Sequence, residues 1–269
     1  MKRKINIPFL VCLIIFLIAA TCGIVYVVSQ KNREKVYDKI ADEVRRPTSN
    51  PSDTSAPDPT NTLPPADTDA PTPTKVPVDV PIDFEKAWEI NKDIYAWITI
   101  PGTPIDYPIV MSVDDPEDYY LDHTIERVEG LPGSIYAQQV NSKDFSDRVT
   151  VLYGHNMKNG SMFGHLHDYK NPTFADEHEI VYIYTPEHIF TYKVFAIVLY
   201  DNRLITGAFD FSSDEGTQAY LDSIRAVNNW KTYFRDVNVT KEDRILTLST
   251  CIGNPAQRYL IQAVLINEE

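Results

Sequence analysis

Cysteine and positive charge are both scarce in this chain. Its 269 residues include three cysteines, too few for a disulfide-stapled scaffold, and none stands in the CxxC spacing of a structural zinc site. Lys and Arg number 25 against 38 Asp and Glu, a formal net charge of −13. A protein that tracks nucleic-acid phosphates needs clustered positive charge, so no nucleic-acid partner is expected. A third shortage is local. Residues 47–81 hold almost no large apolar side chain, while ten of the 19 prolines fall there. A stretch dominated by Pro, Thr and Asp cannot bury enough surface to offset chain entropy, and it reads as a disordered linker. Fully extended, it would reach about 3.1 Å per residue, on the order of 100 Å, which suits a tether that holds a domain away from a membrane.

The membrane segment lies at the N-terminus. Residues 1–4 (MKRK) read as a short cytoplasmic end, and the apolar run 5–28 is interrupted only by Asn6, Pro8, Thr21 and Gly23. Twenty-four residues suffice to cross a hydrocarbon core of roughly 30 Å. The run is too long for a removable h-region and lacks an Ala-x-Ala-like end, so it reads as a retained transmembrane signal-anchor. Ala19-Ala20-Thr21 before Cys22 makes a poor lipobox. Residues 29–46 form a juxtamembrane segment whose Lys31, Arg33, Lys35, Lys39, Arg45 and Arg46 oppose the N-terminal cations. Charge counting therefore leaves the orientation open.

Residues 82–269 are large enough for one domain with a real core. They carry 29 acidic and 15 basic residues, so the acidity belongs to this domain and not to the linker. Eight segments rich in β-branched and aromatic residues are separated by Pro, Gly, Asp and Asn: AWITI, IDYPIV, GSIYA, VTVLYG, EIVYIYT, FTYKVFAIVLY, RILTLST and YLIQAVLI. Asp83 is placed to cap a short helix. Ser212-Ser213-Asp214-Glu215 gives a capping-box pattern ahead of Tyr220, Leu221, Ile224 and Val227 at helical spacing. Another helical stretch begins near Ser161 and should bury Met162, Phe163 and Leu166. The pattern predicts a mainly β fold, a closed eight-stranded barrel with inserted helices, one of them between strands six and seven.

Two cysteines lie in the membrane run, which leaves Cys251 alone in the folded domain. It is either a small buried hydrophobe or a reactive thiol. Period-two alternation puts Thr247, Ser249 and Cys251 on one face of their strand, and Gly253, Asn254 and Pro255 then force a turn. Arg258 opens the returning strand, so its guanidinium should come back toward the thiol, where it could favour a thiolate and stabilise an oxyanion. His155, directly after an apolar strand, is the candidate base or a loop histidine. His165 and His167 form an HxH pair without a matching ligand cluster, so no metal or other cofactor is expected. His123, His178 and His188 read as solvated loop histidines.

NKDIYAWITIPGTPIDYPIV, YYLDH, GSIYA, YGHNMKNGSMF, DRILTLSTC and QRYLIQAVL, in this order behind an N-terminal anchor, resemble the class B sortases, cysteine transpeptidases of Gram-positive cell surfaces. The resemblance covers essentially all of residues 82–269. It implies Cys251 as nucleophile, His155 as general acid/base and Arg258 as the group that holds substrate and stabilises the oxyanion. It implies substrate contacts at Ser249, Leu121, Leu204 and Ile205, and a long helix inserted between strands six and seven. The implied partners are sorting-signal peptides of secreted surface proteins and an amine acceptor on peptidoglycan or a pilin, and the implied location is the outer side of the membrane. One departure is the short connection from Cys251 to Arg258. The competing enzyme readings are an L,D-transpeptidase or a peptidoglycan amidase. L,D-transpeptidases usually carry Gly before the cysteine, where this chain has Thr250. The non-enzymatic alternative is a tethered adhesin with an incidental cysteine.

Overall fold

A computed structural model of the chain describes residues 7–46, 78–229 and 232–269. Residues 1–4 and most of the expected linker, 47–77, lie outside the described residues.

All eight expected segments form strands. They are β1 (Ile94–Thr99), β2 (Asp106–Val110), β3 (Ile135–Ala137), β4 (Val149–Tyr153), β5 (Ile180–Tyr184), β6 (Ile189–Asp201), β8 (Ile245–Cys251) and β9 (Gln257–Glu268). A ninth, two-residue strand, β7 (Tyr233–Phe234), borders β6. The order β5-β1-β2-β3-β4-β8-β9-β6 returns to β5, so eight strands close the barrel and β7 lies outside the ring. Closure leaves those eight without a free edge. Two neighbouring pairs, β2/β3 and β4/β8, run parallel.

Alternation along the strands divides the core in two. Trp97, Leu246, Leu248 and Ile261 belong to the inner cluster. Val149, Val151, Ile245 and Leu260 face outward under a second cluster supplied by Tyr220, Leu221 and Ile224. Those three come from the expected inserted helix, α5 (Asp214–Arg225). Its cap is shifted by one residue from the box pattern. Ser213 Oγ accepts from Gly216 N at 3.1 Å, while Ser212 Oγ donates to Asp210 Oδ1. Gly216 is required there, because a Cβ would lie 2.0 Å from the Asp210 carbonyl oxygen. Between β6 and α5 runs a short helix, α4 (Ile205–Ala208). The stretch near Ser161 becomes a 3-10 helix, Gly164–Lys170, with Met162, Phe163 and Leu166 buried, and leads into α3 (Pro172–Glu177). Asp83 caps α2 (Phe84–Ile90) by accepting from Lys86 N.

The N-terminal helix revises the expected organisation. α1 (Ile7–Val44) runs unbroken for 38 residues, about 57 Å at 1.5 Å per residue. Its first half contains an exposed stretch with mean hydropathy 2.9, long and apolar enough to cross a membrane. Its second half, expected as a juxtamembrane segment outside the domain, is part of the folded unit. Tyr37, Ile40 and Val44 are at most 3% exposed, with Val36 and Ala41 packed beside them. These five recur at helical spacing, so one stripe of α1 is apolar and buries against the barrel while its charged residues face outward. Arg33 Nε donates to Leu131 O at 2.6 Å, and Arg45 forms a two-pronged ion pair with Asp106.

The chain leaving α1 at Arg46 meets the chain entering α2. Arg46 N donates to Pro81 O at 3.0 Å and Asp83 N to Val44 O at 2.7 Å, with a β-bridge between Arg45 and Ile82. The two ends of the Pro-rich segment are therefore held together. α1 packs on the barrel ahead of that segment, so the segment does not separate α1 from the domain.

Candidate active site

The site grows out of strand register. In the parallel pair, Tyr153 of β4 lies opposite Ser249 of β8. Gly154 N donates to Ser249 O at 3.2 Å, and the buried Thr250 hydroxyl donates to Gly154 O at 2.8 Å. Two residues beyond that pair stand His155 and Cys251, one at the end of each strand. On the other side, the antiparallel β8/β9 ladder ends with Cys251 opposite Arg258. Directly opposed residues share a face, so thiol and guanidinium project together, on the outward face that also carries Ser249.

A cleft of about 340 Å³ opens over this rung and is lined by all the sequence-predicted site residues: Cys251, His155, Arg258, Ser249, Leu121, Leu204 and Ile205. Their environments differ. Cys251 is exposed at the strand end, and Ser249 beneath it is 3% exposed. Leu121 and Leu204 present apolar surface to the opening, at 39% and 50% exposure, whereas Ile205 is 3% exposed and packs into the outer core. Leu121 contributes more than a side chain. Its carbonyl lies 2.7 Å from His155 Nε2. A carbonyl can only accept, so Nε2 carries a proton in this arrangement. Gly133, at φ +65°, allows the approach, because a Cβ there would come within 2.3 Å of Leu121 O.

The charges around the cleft are unequally satisfied. Arg203 grips Asp201 through Nε and Nη2 at 2.5–3.0 Å, which holds the Asp201 carboxyl below the usual carboxylate range. Arg258 donates to the carbonyls of Pro255 and Gln257, and no carboxylate lies within ion-pair distance of it among the described residues. Its field reaches the stacked pair Tyr136 and Tyr153, whose rings are 5.4 Å apart. Burial pushes the Tyr153 phenol up to about 12, and Arg258 partly opposes that rise.

Sequence reasoning missed several groups here. Tyr153 OH and Thr206 Oγ1 both donate to Gln138 Oε1, at 3.2 and 2.7 Å, joining β4 to α4 across the cleft wall. Asn202 Nδ2 donates to Pro255 O at 2.9 Å and ties that wall to the turn after Cys251. Tyr153 was within reach of pattern reading, since it stands two residues before His155 on the same face. The HxH pair separates: His165 bonds Asp168, while His167 reaches the Cys251 carbonyl at 2.9 Å. His123, His178 and His188 are half-buried and hydrogen-bonded or ion-paired rather than solvated.

Known proteins resemble this chain in sequence and in fold. A family model described as the Sortase domain matches residues 98–266. Sortase B of Listeria monocytogenes is 36% identical over 163 residues, 61% of this chain and 64% of that protein, so the match spans just under two thirds of that relative. Sortase B of Staphylococcus aureus is 32% identical over 189 residues, 68% of this chain and 74% of that protein. The solved structure of the Staphylococcus aureus sortase B-substrate complex superposes with a TM-score of 0.60 at 31% identity, covering 69% of this chain and 85% of the other. The chain belongs to the sortase family of cysteine transpeptidases, and its relatives assign it to class B.

Proposed function

We propose that this sortase cleaves a sorting pentapeptide of the (Asn/Leu/Ser)-Pro-x-Thr-(Gly/Asn) kind after Thr and joins the Thr carboxyl to an amine of peptidoglycan or a pilin. The observation that carries the reading is the shared register of β4, β8 and β9, which gathers His155, Cys251 and Arg258 at one cleft. Cys251 Sγ attacks the Thr carbonyl carbon, and Arg258 donates to the oxygen that becomes negative. The C–N bond breaks as His155 protonates the departing amine, which leaves a thioester. The acceptor amine then attacks, the C–S bond breaks, and the amine's proton passes to His155. Since Nε2 is engaged with Leu121 O, Nδ1 is the nitrogen that exchanges the proton. Ser249 supports the thiol from below, and Leu121, Leu204 and Ile205 form the apolar wall against the peptide.

The first half of α1 serves as the membrane anchor, with the barrel on the outer face, so that secreted proteins are joined to the wall where they emerge. Mass spectrometry of acyl-enzyme trapped from a pentapeptide library tests the chemistry. Thr-terminated acyl groups on Cys251, absent from Cys251→Ala, are expected. Turnover of muropeptides alone would replace this reading with another cell-wall cysteine enzyme.

A further inference from the structure

A groove of about 470 Å³, away from the catalytic cleft, runs between α1 and the loop that joins β2 to β3. Ile24, Val25 and Val28 of α1 line one side, and Glu126 and Val128 of the loop line the other. Ile24, Val25, Val28 and Val128 are all exposed. The first three belong to the apolar run, so in a chain anchored by α1 this groove opens onto lipid. An exposed valine beside them then lies against the bilayer surface instead of bulk water.

Arg33 closes the upper end of the groove. It stands five residues past Val28, about 7.5 Å of helix rise, but its side chain turns back toward the apolar run. Nη1 donates to Ser29 Oγ at 2.9 Å, one turn lower. The guanidinium is thus brought down to the depth of lipid phosphates, in a headgroup layer about 5–7 Å thick on each side of the hydrocarbon. Nε is fixed on Leu131 O at 2.6 Å, while Nη2 has no hydrogen-bond partner among the described residues. Glu126, exposed on the facing wall, does not reach the guanidinium, and no ion pair joins the two. A held cation with a free N–H and a separate carboxylate therefore face one another above an apolar floor. That is the complement of a zwitterionic headgroup on a hydrocarbon chain.

We propose that this groove binds one phospholipid whose headgroup carries a primary ammonium, as phosphatidylethanolamine does. Its phosphodiester accepts from Arg33 Nη2, its ammonium faces Glu126, and an acyl chain lies along Ile24, Val25 and Val28 beside Val128. The proposal rests on α1 being the membrane anchor.

The test places the full chain in nanodiscs of equal parts phosphatidylethanolamine, phosphatidylglycerol and phosphatidylcholine, and native mass spectrometry counts the lipids retained. One phosphatidylethanolamine per chain is expected. Phosphatidylglycerol lacks the ammonium, and the quaternary ammonium of phosphatidylcholine has no N–H to donate. Arg33→Gln should lower retention on the order of 10- to 100-fold, the worth of a charge-assisted hydrogen bond. Glu126→Gln changes an exposed side chain without disturbing the fold, and should abolish the preference for phosphatidylethanolamine over phosphatidylglycerol. Lys35→Gln, in a different groove of the same helix, should match wild type. Equal retention of the three lipids would overturn the proposal, as would wild-type retention in Arg33→Gln, or an unchanged preference in Glu126→Gln. A loss in Lys35→Gln as large as in Arg33→Gln would also overturn it, because attraction would then be diffuse. Flotation of the full chain with vesicles separates the two readings. A chain that does not float overturns the anchor and the site together, whereas one that floats and retains no lipid overturns the site alone.

Discussion

Replacing Tyr37 by Phe should destabilise the whole catalytic unit, although Tyr37 stands in a helix that looks from its sequence like a mere stalk. The side chain is 2% exposed. Its hydroxyl donates to Gly133 O, accepts from Ile125 N at 3.0 Å and contacts Ser134 Oγ at 2.9 Å, and burial raises the phenol well above its ordinary pKa. Ser134 keeps a second partner in His123 O, so Tyr37→Phe strands two backbone groups, the Gly133 carbonyl and the Ile125 N–H. Each buried polar group left unpaired costs about 1–3 kcal/mol, which gives about 2–4 kcal/mol after some relaxation. For a domain of this size that is a fall in melting temperature of roughly 5–15 °C. Thermal melts of the full chain in detergent, followed by near-UV circular dichroism, would measure it, with Tyr26→Phe as a control at an exposed position of the same helix. A Tyr37→Phe variant that melts within 2 °C of wild type would refute the view that α1 is built into the barrel domain.

Other outcomes follow from the same geometry. Leu204→Ala should raise KM for the sorting peptide without moving the melting temperature. Ile205→Ala, emptying a site in the outer core, should cost about 2–4 kcal/mol in denaturant unfolding; reversed effects would exchange the roles of the two residues. Asp214 is held below its ordinary value of 3.8 by hydrogen bonds from Lys241 and Arg148. A depressed carboxylate lends stability above its unfolded pKa and loses it as pH falls through the folded value. Asp214→Asn should therefore flatten the loss of stability below about pH 4, and an unchanged acid limb in urea titrations would contradict this. Replacing residues 48–77 by six Gly/Ser residues should leave activity intact and stabilise by about 1 kcal/mol, from the smaller closure entropy of a loop whose ends are already joined. Lost activity would mean the segment contributes to turnover.

Most of the barrel was legible because its strands alternate. β6 and β9, which contain FTYKVFAIVLY and YLIQAVLI, pair over eleven rungs. In β9 the inward Tyr259, Ile261 and Ala263 and the outward Leu260 and Val264 follow period two, whereas in β6 a register shift between Val194 and Ala196 moves the inward positions from Tyr192 and Val194 to Ile197. Cys251, His155 and Arg258 were legible for a different reason: each is a reactive or charged residue at the end of an apolar run, where chemistry has no packing explanation to compete with it. The docked half of α1 was not read, because Val36, Tyr37, Ile40, Ala41 and Val44 are interleaved with ten charged residues between Lys31 and Arg46, and the eye follows the charge. His167 was invisible for a third reason. Its partner is a backbone carbonyl 84 residues away, and no side-chain pattern encodes a backbone acceptor.

The joined ends of the Pro-rich segment and the docked helix bear on where catalysis happens. If α1 anchors the chain in a membrane, a segment that leaves at Arg46 and returns at Pro81 does not set the distance between membrane and cleft. That distance is set along α1. From Val28, the last residue of the apolar run, to Tyr37 is nine residues, about 13 Å of helix. Tyr37 holds Gly133, and Gly133 packs on Leu121 O and within reach of the His155 ring. On that anchoring, the path from bilayer to His155 passes through one helix and two packed contacts. If α1 anchors the chain, the His155 side of the cleft stands a few helical turns above the lipid surface, and substrates must be recognised at that height. The acidity of the domain fits such a position poorly unless cations intervene, and Lys31, Arg33 and Lys35 stand at that boundary. Between an apolar span and an acidic barrel, they are placed where anionic headgroups and acidic protein would otherwise repel each other.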